Sequence, residues 1–218
     1  MKCPRQERSH NHTSQIHRIF VTLCCCFLLY SVDLSRIGRM DSQILVLGPE
    51  SGGKTMLLKR LQSYTSQLSS SSDMALGEPP STIATVGVNL ITLQIHKKKF
   101  CFRELGGAMA PVWSNYFKDS THCIYVIDMA NRGQVAASTM LLLNLLTSRQ
   151  SSNWPVLIIF NKLDIPCGMT QMEISSIMHL DDIINRSSQK ISVVETCLHD
   201  GGGLSDVVNW LQKTYQPK

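Results

Sequence analysis

A lysine and a threonine close a glycine-rich segment whose spacing suits the binding of phosphate. Residues 48–55 read GPESGGKT, which fits the pattern GxxxxGK[ST]. The segment follows the apolar run 44–47 and precedes a helix-like stretch that begins at Met56. A phosphate loop needs this strand–loop–helix context, because inward-turned backbone N–H groups and the helix N-terminus together hold the phosphate oxygens. A chance glycine turn between a core strand and a core helix is the alternative, and it leaves the Lys-Thr pair unexplained.

The side chains of this phosphate loop (residues 48–55) have distinct expected contacts. Lys54 is long enough to reach the β- and γ-phosphates, and the Thr55 hydroxyl is suited to bind Mg²⁺. The other candidates for phosphate contact are Gly48, Pro49, Glu50, Ser51, Gly52 and Gly53. The loop therefore predicts a nucleoside triphosphate ligand without identifying its base.

A second motif, Asn161-Lys162-Leu163-Asp164, follows the apolar run 156–160 and predicts that the base is guanine. The Asp164 carboxylate can accept hydrogen bonds from guanine N1–H and N2–H, whereas adenine would leave it unpaired at a cost. Asn161 is expected to tie this segment to the phosphate loop, and the Lys162 stem is expected to cover one face of the base. Four residues alone are a weak signal. Their position at a strand end, about a hundred residues after the phosphate loop, favours guanine.

The two motifs together resemble those of the small GTPases, and further segments resemble the Arf and Arf-like branch of that family. Residues 85–89 (TVGVN) are similar to the first switch, and residues 104–107 (ELGG) are similar to the second switch. Residues 111–117, 196–199 and 203–211 resemble the segments that follow the second switch, form the last guanine loop and form the terminal helix. The resemblance covers residues 42–214, and it implies GTP and GDP as ligands together with Mg²⁺. It adds metal and nucleotide candidates to the two motifs: Thr85, Gly107, Cys197 and Leu198 for the nucleotide, and Thr55, Thr85 and, through a water, Glu104 for the metal.

Two departures from the family pattern concern GTP hydrolysis. Glu104 stands where the family has Asp, and Ala108 stands where the family has the Gln that orients the attacking water. A methyl group cannot hold a water in line, and phosphoryl transfer depends on positioning and charge stabilisation. We expect a regulatory switch with weak or partner-dependent hydrolysis. A GTP-bound scaffold that does not cycle is the alternative, and a P-loop enzyme acting on a small molecule lacks support in the motifs.

The resemblance also implies partners for the switches. The positions that Arf-like proteins present to effectors fall on Val88, Arg103 and Tyr116, and only Tyr116 is aromatic. The effector specificity of this chain should therefore differ from that of ordinary Arf proteins, unless Val88 and Arg103 are ordinary strand residues. Effectors, an exchange factor and an activating protein are the implied partners of a monomer acting in intracellular membrane or ciliary traffic.

Alternating apolar runs and helical stretches predict an α/β fold, which the resemblance specifies as the P-loop small-GTPase fold. We expect a six-stranded, mostly parallel sheet with helices on both faces, and one antiparallel hairpin between the switches. The first helix is expected over residues 53–67, and a flexible loop is expected from Ser69 to Pro80. The globular domain should cover residues 41–218.

Residues 1–40 are predicted to form an apolar and basic extension. They carry six lysines and arginines against two acidic residues, which leaves only +1 of the net charge of +5 on the rest of the chain. A near-neutral domain argues against nucleic-acid binding. The apolar stretch 19–32 is short for a membrane span, so acylation at Cys24, Cys25 and Cys26, or a working protein that starts at Met40, are the open alternatives. The expected location is the cytoplasm, with peripheral membrane contact possible.

Overall fold

A six-stranded sheet forms the centre of the computed structural model, which describes residues 43–70 and 76–215. Its strands are β1 Gln43–Leu47, β2 Val88–Ile95, β3 Lys98–Leu105, β4 Ser120–Asp128, β5 Pro155–Asn161 and β6 Lys190–Thr196. The α-helices are α1 Lys54–Ser70, α2 Val135–Leu146, α3 Gln171–Met178, α4 Leu180–Arg186 and α5 Leu204–Thr214. Short 3₁₀ segments cover Gly107–Asp119, Arg132–Gln134 and Arg149–Ser151. The predictions for residues 1–40 lie outside the described residues.

The strand order is β2-β3-β1-β4-β5-β6. Strands β2 and β3 pair antiparallel, and every other neighbouring pair is parallel. This topology confirms the predicted fold, including the hairpin between the switches. Because parallel strands end at the same edge of a sheet, the loops after β1, β4, β5 and β6 are adjacent, which is where nucleotides bind in open α/β sheets.

The strand β1 is buried along its whole length, and its side chains alternate between two apolar layers. Ile44 and Val46 pack with α1 and α5, whereas Leu45 and Leu47 pack with α2, α3 and the Gly107–Asp119 segment. A continuous apolar run of this kind is typical of a strand covered on both faces. Helices therefore lie on both sides of the sheet, as predicted.

The end of the first helix was predicted wrongly. Helix α1 continues to Ser70, so Ser69 and Ser70 belong to it and not to the loop that the serine-rich composition predicted. Serine is a weak helix former but not a breaker, and the preceding turns already supply the helical hydrogen bonds.

Among the helices of the described residues, none is both long enough and apolar enough to cross a membrane.

Candidate functional site

The loop between β1 and α1 holds a buried lysine at its centre. Lys54 is 6% exposed, and its Nζ donates hydrogen bonds to the carbonyl oxygens of Gly48 at 2.9 Å and Pro49 at 2.7 Å. Burial lowers the pKa of Lys54 to about 8, against the opposing attraction of Glu104 and Glu50. The loop therefore holds one buried cation at the open edge of the sheet, and a bound anionic group would raise its pKa back toward the usual value.

Two glycines allow other segments to approach the phosphate loop closely. Gly53 has a φ of +102°, and a Cβ atom there would lie 2.2 Å from Nδ2 of Asn161. A Cβ atom at Gly107 would lie 2.4 Å from the backbone nitrogen of Glu50. Any side chain at either position would force the loops apart, so these glycines let the second switch (residues 104–107) and the guanine motif (residues 161–164) contact the phosphate loop.

Asn161 connects three strand ends. Its Nδ2 donates to the carbonyl oxygen of Gly52 at 2.9 Å, and its Oδ1 accepts a hydrogen bond from the Thr196 hydroxyl at 3.2 Å. The sheet places Asn161 beside Thr196 on β6 and beside Asp128 on β4. Since Asn161 is 2% exposed, its amide fixes the relative position of the phosphate loop and the guanine motif.

The next residue of the guanine motif is held by a carboxylate that the sequence did not assign to the site. Lys162 has a φ of +71°, and its Nζ lies 2.6 Å from Oδ2 of Asp128. The other carboxylate oxygen of Asp128 accepts a hydrogen bond from the backbone N–H of Ala130 at 2.9 Å. This pair orients the Lys162 stem. The available signal was an acidic residue directly after the apolar run 123–127 in strand β4.

Asp164 is exposed and free to meet a ligand. Its contact among the described residues is the Cys197 thiol, which donates to Oδ1 over 3.6 Å. Leu198, the next residue, is 3% exposed and packs into the apolar layer formed with α1 and α5. Its side chain therefore packs into the core.

Three oxygen-bearing side chains converge between the phosphate loop and the switches. The Thr55 hydroxyl lies 2.9 Å from the Thr85 hydroxyl, and both donate to Oε1 of the fully buried Glu104, with a distance of 3.0 Å from Thr85. The Asn89 amide donates to Oε2 of Glu104 at 3.1 Å. Hard oxygen donors of this kind suit Mg²⁺, and the longer Glu104 side chain reaches both threonines directly. Asn89 is a residue that the sequence reasoning did not select, although it lies within the first switch.

These groups border one cavity of about 560 Å³. Its lining includes residues from the phosphate loop, the two switches, the guanine motif and the loop after β6, among them Lys54, Thr85, Gly107, Ala108, Asp164 and Leu198. The volume falls within the range of small-molecule and cofactor sites. Ala108 is exposed on this lining, and its methyl group offers no hydrogen bond to a water.

The three predicted effector positions lie near one another on the β2–β3 hairpin and the following segment. Arg103 stacks over the Tyr116 ring, with its guanidinium carbon 5.5 Å from the ring centroid. Its side chain is only 12% exposed and approaches Asp119 at 3.8 Å. Its cross-strand partner Leu90, which the sequence reasoning missed, is 60% exposed, and Val88 is 41% exposed. Leu90 and Val88 therefore form the accessible part of this face.

The pattern of strands, loops and motif residues is shared with a known family. The model of the ADP-ribosylation factor family matches residues 30–215. The chain belongs to this family. It is therefore an Arf-family small GTPase, a regulatory protein that binds guanine nucleotides, and the predicted resemblance is confirmed.

Individual relatives agree with this assignment. The chain is 40% identical over 179 residues to human ADP-ribosylation factor-like protein 16, covering 82% of this chain and 89% of that protein. It is 31% identical over 182 residues to ADP-ribosylation factor 1 of Brassica rapa subsp. pekinensis, covering 83% and 91%. Its fold resembles that of the Arl6 BBS3 small GTPase from Trypanosoma brucei, solved with the bound nucleotide analogue GppNp. That match has a TM-score of 0.64, 20% identity, and coverage of 79% of this chain and 96% of the other.

Proposed function

We propose that this Arf-family protein is a GTP-regulated switch that recruits effector proteins while GTP is bound, with weak or partner-dependent hydrolysis. The observation that carries the proposal is the convergence of the phosphate loop, the guanine motif and both switches on one cavity. A ligand that touches all four can make one arrangement of the switches more stable than another. Only such differential contact allows a nucleotide to shift a conformational equilibrium.

In this proposal Lys54 and the backbone of residues 48–53 hold the phosphates, with Gly107 beside them. Asp164 reads the N1–H and N2–H groups of guanine, and Lys162 covers the base. Cys197 and Leu198 border the base on its other side, where the Leu198 backbone N–H is available to guanine O6. The exposed Asp164 carboxylate and the fixed Lys162 stem support these roles.

Thr55, Thr85 and Glu104 are the proposed holders of Mg²⁺. When bound, this ion would neutralise phosphate charge and complete the link between the nucleotide and the first switch. The contribution of the chain is geometric: Asn89 fixes one oxygen of Glu104, so that the other oxygen faces the two threonine hydroxyls. Loss of the γ-phosphate would remove a contact that holds Thr85 beside Thr55.

Hydrolysis is proposed to be slow because Ala108 cannot orient water. An activating protein would then have to supply the missing hydrogen-bonding group. An exchange factor would accelerate the release of GDP so that GTP can bind. The alternative function, a GTP-bound scaffold that does not cycle, is favoured by the same residue.

The effector surface is proposed to include Val88, Arg103 and Tyr116, extended by Leu90. Ile83 and Val86, on the segment that carries Thr85, are 89% and 97% exposed. Apolar side chains exposed on a nucleotide-sensing segment suit a partner that binds in only one nucleotide state. We further propose, on family grounds, a cytoplasmic monomer with peripheral membrane contact that acts in membrane or ciliary traffic.

Two measurements on the full chain test this proposal. Hydrogen exchange of residues 81–118 is compared between GDP and a non-hydrolysable GTP analogue, and a switch requires stronger protection of residues 81–89 with the analogue. Single-turnover hydrolysis, measured with and without cell extract, separates the two functions. Turnover accelerated by extract supports the cycling switch, whereas equal protection in both states together with no turnover supports the scaffold.

A further inference from the structure

A buried arginine on α1 contacts two segments that are distant in sequence. Arg60 is 2% exposed. Its Nε donates to the carbonyl oxygen of Leu198 at 2.8 Å, and its Nη2 donates to that of His199. Its Nη1 donates to the carbonyl oxygens of Leu76 at 3.0 Å and Gly77 at 2.8 Å. One side chain therefore joins the loop after β6 to the segment that leads into the first switch.

The Arg60 charge has no carboxylate within ion-pair distance among residues 43–70 and 76–215. Four carbonyl oxygens accept hydrogen bonds from its N–H groups instead. Burying a cation without an opposite charge is costly even when it is hydrogen-bonded, and an apolar residue would fit the neighbouring apolar positions Leu57 and Leu61. This arrangement favours a role in holding particular backbone groups over a role in stability.

The loop that Arg60 contacts, residues 197–203, closes on itself through local hydrogen bonds, including one from the Gly202 N–H to Oδ1 of Asp200 at 2.8 Å. It ends in three successive glycines, Gly201 to Gly203, which are the residues with the greatest backbone freedom. Its backbone hydrogen bonds are local: Cys197 N–H to Gly202 at 3.1 Å, and Gly201 N–H to Cys197 at 2.9 Å. Arg60 connects this loop to helix α1 through the successive carbonyl oxygens of Leu198 and His199.

We propose that Arg60 is a positioning residue for recognition of the guanine carbonyl, acting through the backbone of Leu198. This inference rests on the proposed function, in which the Leu198 N–H faces guanine O6. The hydrogen bonds from Arg60 to the carbonyl oxygens of Leu198 and His199 tie the backbone that follows the Leu198 N–H to helix α1. A donor that is already in place loses less conformational entropy when the base arrives.

The probe for this role is a pair of nucleotides that differ only at the position in question. 6-Thio-GDP keeps the N1–H and N2–H groups that Asp164 would read, and replaces O6 by sulfur, a weaker hydrogen-bond acceptor. Dissociation constants for GDP and 6-thio-GDP, measured with Mg²⁺ on the full chain, give a preference ratio that reports the O6 contact. We expect Arg60→Met to reduce this ratio by about three- to tenfold, the worth of one hydrogen bond.

Two further variants define the result. Lys59→Met removes the neighbouring contact from Lys59 Nζ to the Ser81 carbonyl, 2.7 Å long, and should leave the ratio unchanged. Arg60→Lys keeps the stem and the charge, but its ammonium has only three donors. Arg60→Lys should give an intermediate reduction of the preference ratio, and it tests the same contact if Arg60→Met does not fold.

The outcomes separate the two levels of the argument. If the unmodified protein binds GDP and both Arg60 variants keep its full preference over 6-thio-GDP, the positioning role is wrong while the proposed function stands. A general loss of affinity with an unchanged ratio also contradicts the role, since it indicates a structural effect only. If the unmodified protein binds neither nucleotide, the proposed function itself fails.

Discussion

The hydroxyl oxygens of Thr55 and Thr85 lie 2.9 Å apart, although 30 residues separate them in the sequence. One belongs to the first turn of α1 and the other to the first switch. The Glu104 carboxylate accepts hydrogen bonds from both. These contacts link the first turn of α1 to both switches, because Glu104 begins the second switch.

The first prediction concerns the metal. Thr55→Ala removes one of the three converging oxygens, so it should weaken Mg²⁺ binding and make GDP release fast whether or not Mg²⁺ is present. For the unmodified protein we expect chelation of Mg²⁺ to accelerate GDP release by about tenfold or more. Stopped-flow release of a fluorescent GDP measures both rates. Thr139→Ala on α2, whose hydroxyl bonds the Val135 carbonyl, is the control, and a Thr55→Ala protein that still responds fully to chelation would contradict the assignment.

The second prediction restores a hydrogen-bonding group at the exposed Ala108 position. Ala108→Gln should accelerate single-turnover GTP hydrolysis by at least about tenfold, because an amide can orient the attacking water. The shorter amide of Ala108→Asn is the matched control and should have a smaller effect. Equal rates for the unmodified protein and both variants would show that the missing glutamine does not limit hydrolysis here.

The third prediction concerns the base. Asp164→Asn replaces a pair of acceptors by one acceptor and one donor, which matches the N1–H and C2 carbonyl of xanthine better than guanine. The preference for GDP over xanthosine diphosphate should fall by at least about a hundredfold, since a site built to bond a specific polar edge rejects its mismatch strongly. Competitive binding measures this ratio. Asp206→Asn on α5 should leave it unchanged, and an unchanged ratio in Asp164→Asn would remove Asp164 from the site.

The fourth prediction concerns stability and pH. His122 is 7% exposed; burial lowers its pKa below the usual value, against a hydrogen bond to the Thr214 carbonyl that raises it. The unfolded chain therefore binds a proton more readily than the folded protein, so stability should be lost as the pH falls below about 6.5. In His122→Gln the loss between pH 7.5 and 5.5 should be smaller, as measured by urea unfolding.

The control for that experiment is His96→Gln in the β2–β3 turn, which should retain the pH dependence of the unmodified protein. If His122→Gln and the unmodified protein lose stability in parallel, the buried neutral form of His122 does not contribute to the pH dependence.

Sequence reasoning located the segments whose positions are encoded locally. The phosphate loop and the guanine motif are short runs at strand ends, and their positions follow from the alternation of strands and helices. Arg60 was missed because its partners Leu198 and His199 lie 138 and 139 residues away in the sequence. The groups that it contacts are backbone carbonyls, which every residue has, so the residue types give no indication of the contact. The one available signal was a charged residue beside the buried positions Leu57 and Leu61.

The limits of the elements were less predictable than their existence. The segment Gly107–Asp119, which contains Pro111 and was not predicted as a helix, packs Trp113 and Phe117 into the core as a succession of 3₁₀ turns. The tertiary contacts of these two aromatic side chains decide its path. Asn89 and Asp128 were likewise outside the predicted site because their partners, Glu104 and Lys162, approach them only across the sheet.

The central claim is that the cavity at the carboxyl edge of the sheet binds a guanine nucleotide through Lys54 and Asp164. Calorimetric titration of the full chain with GDP and with ADP, in the presence of Mg²⁺, tests it most directly. We predict a saturable heat with GDP that is lost in Asp164→Ala, and no binding of ADP at the same concentrations. Equal binding of both nucleotides, or no heat with GDP from a chain whose circular dichroism shows an intact fold, would contradict the account.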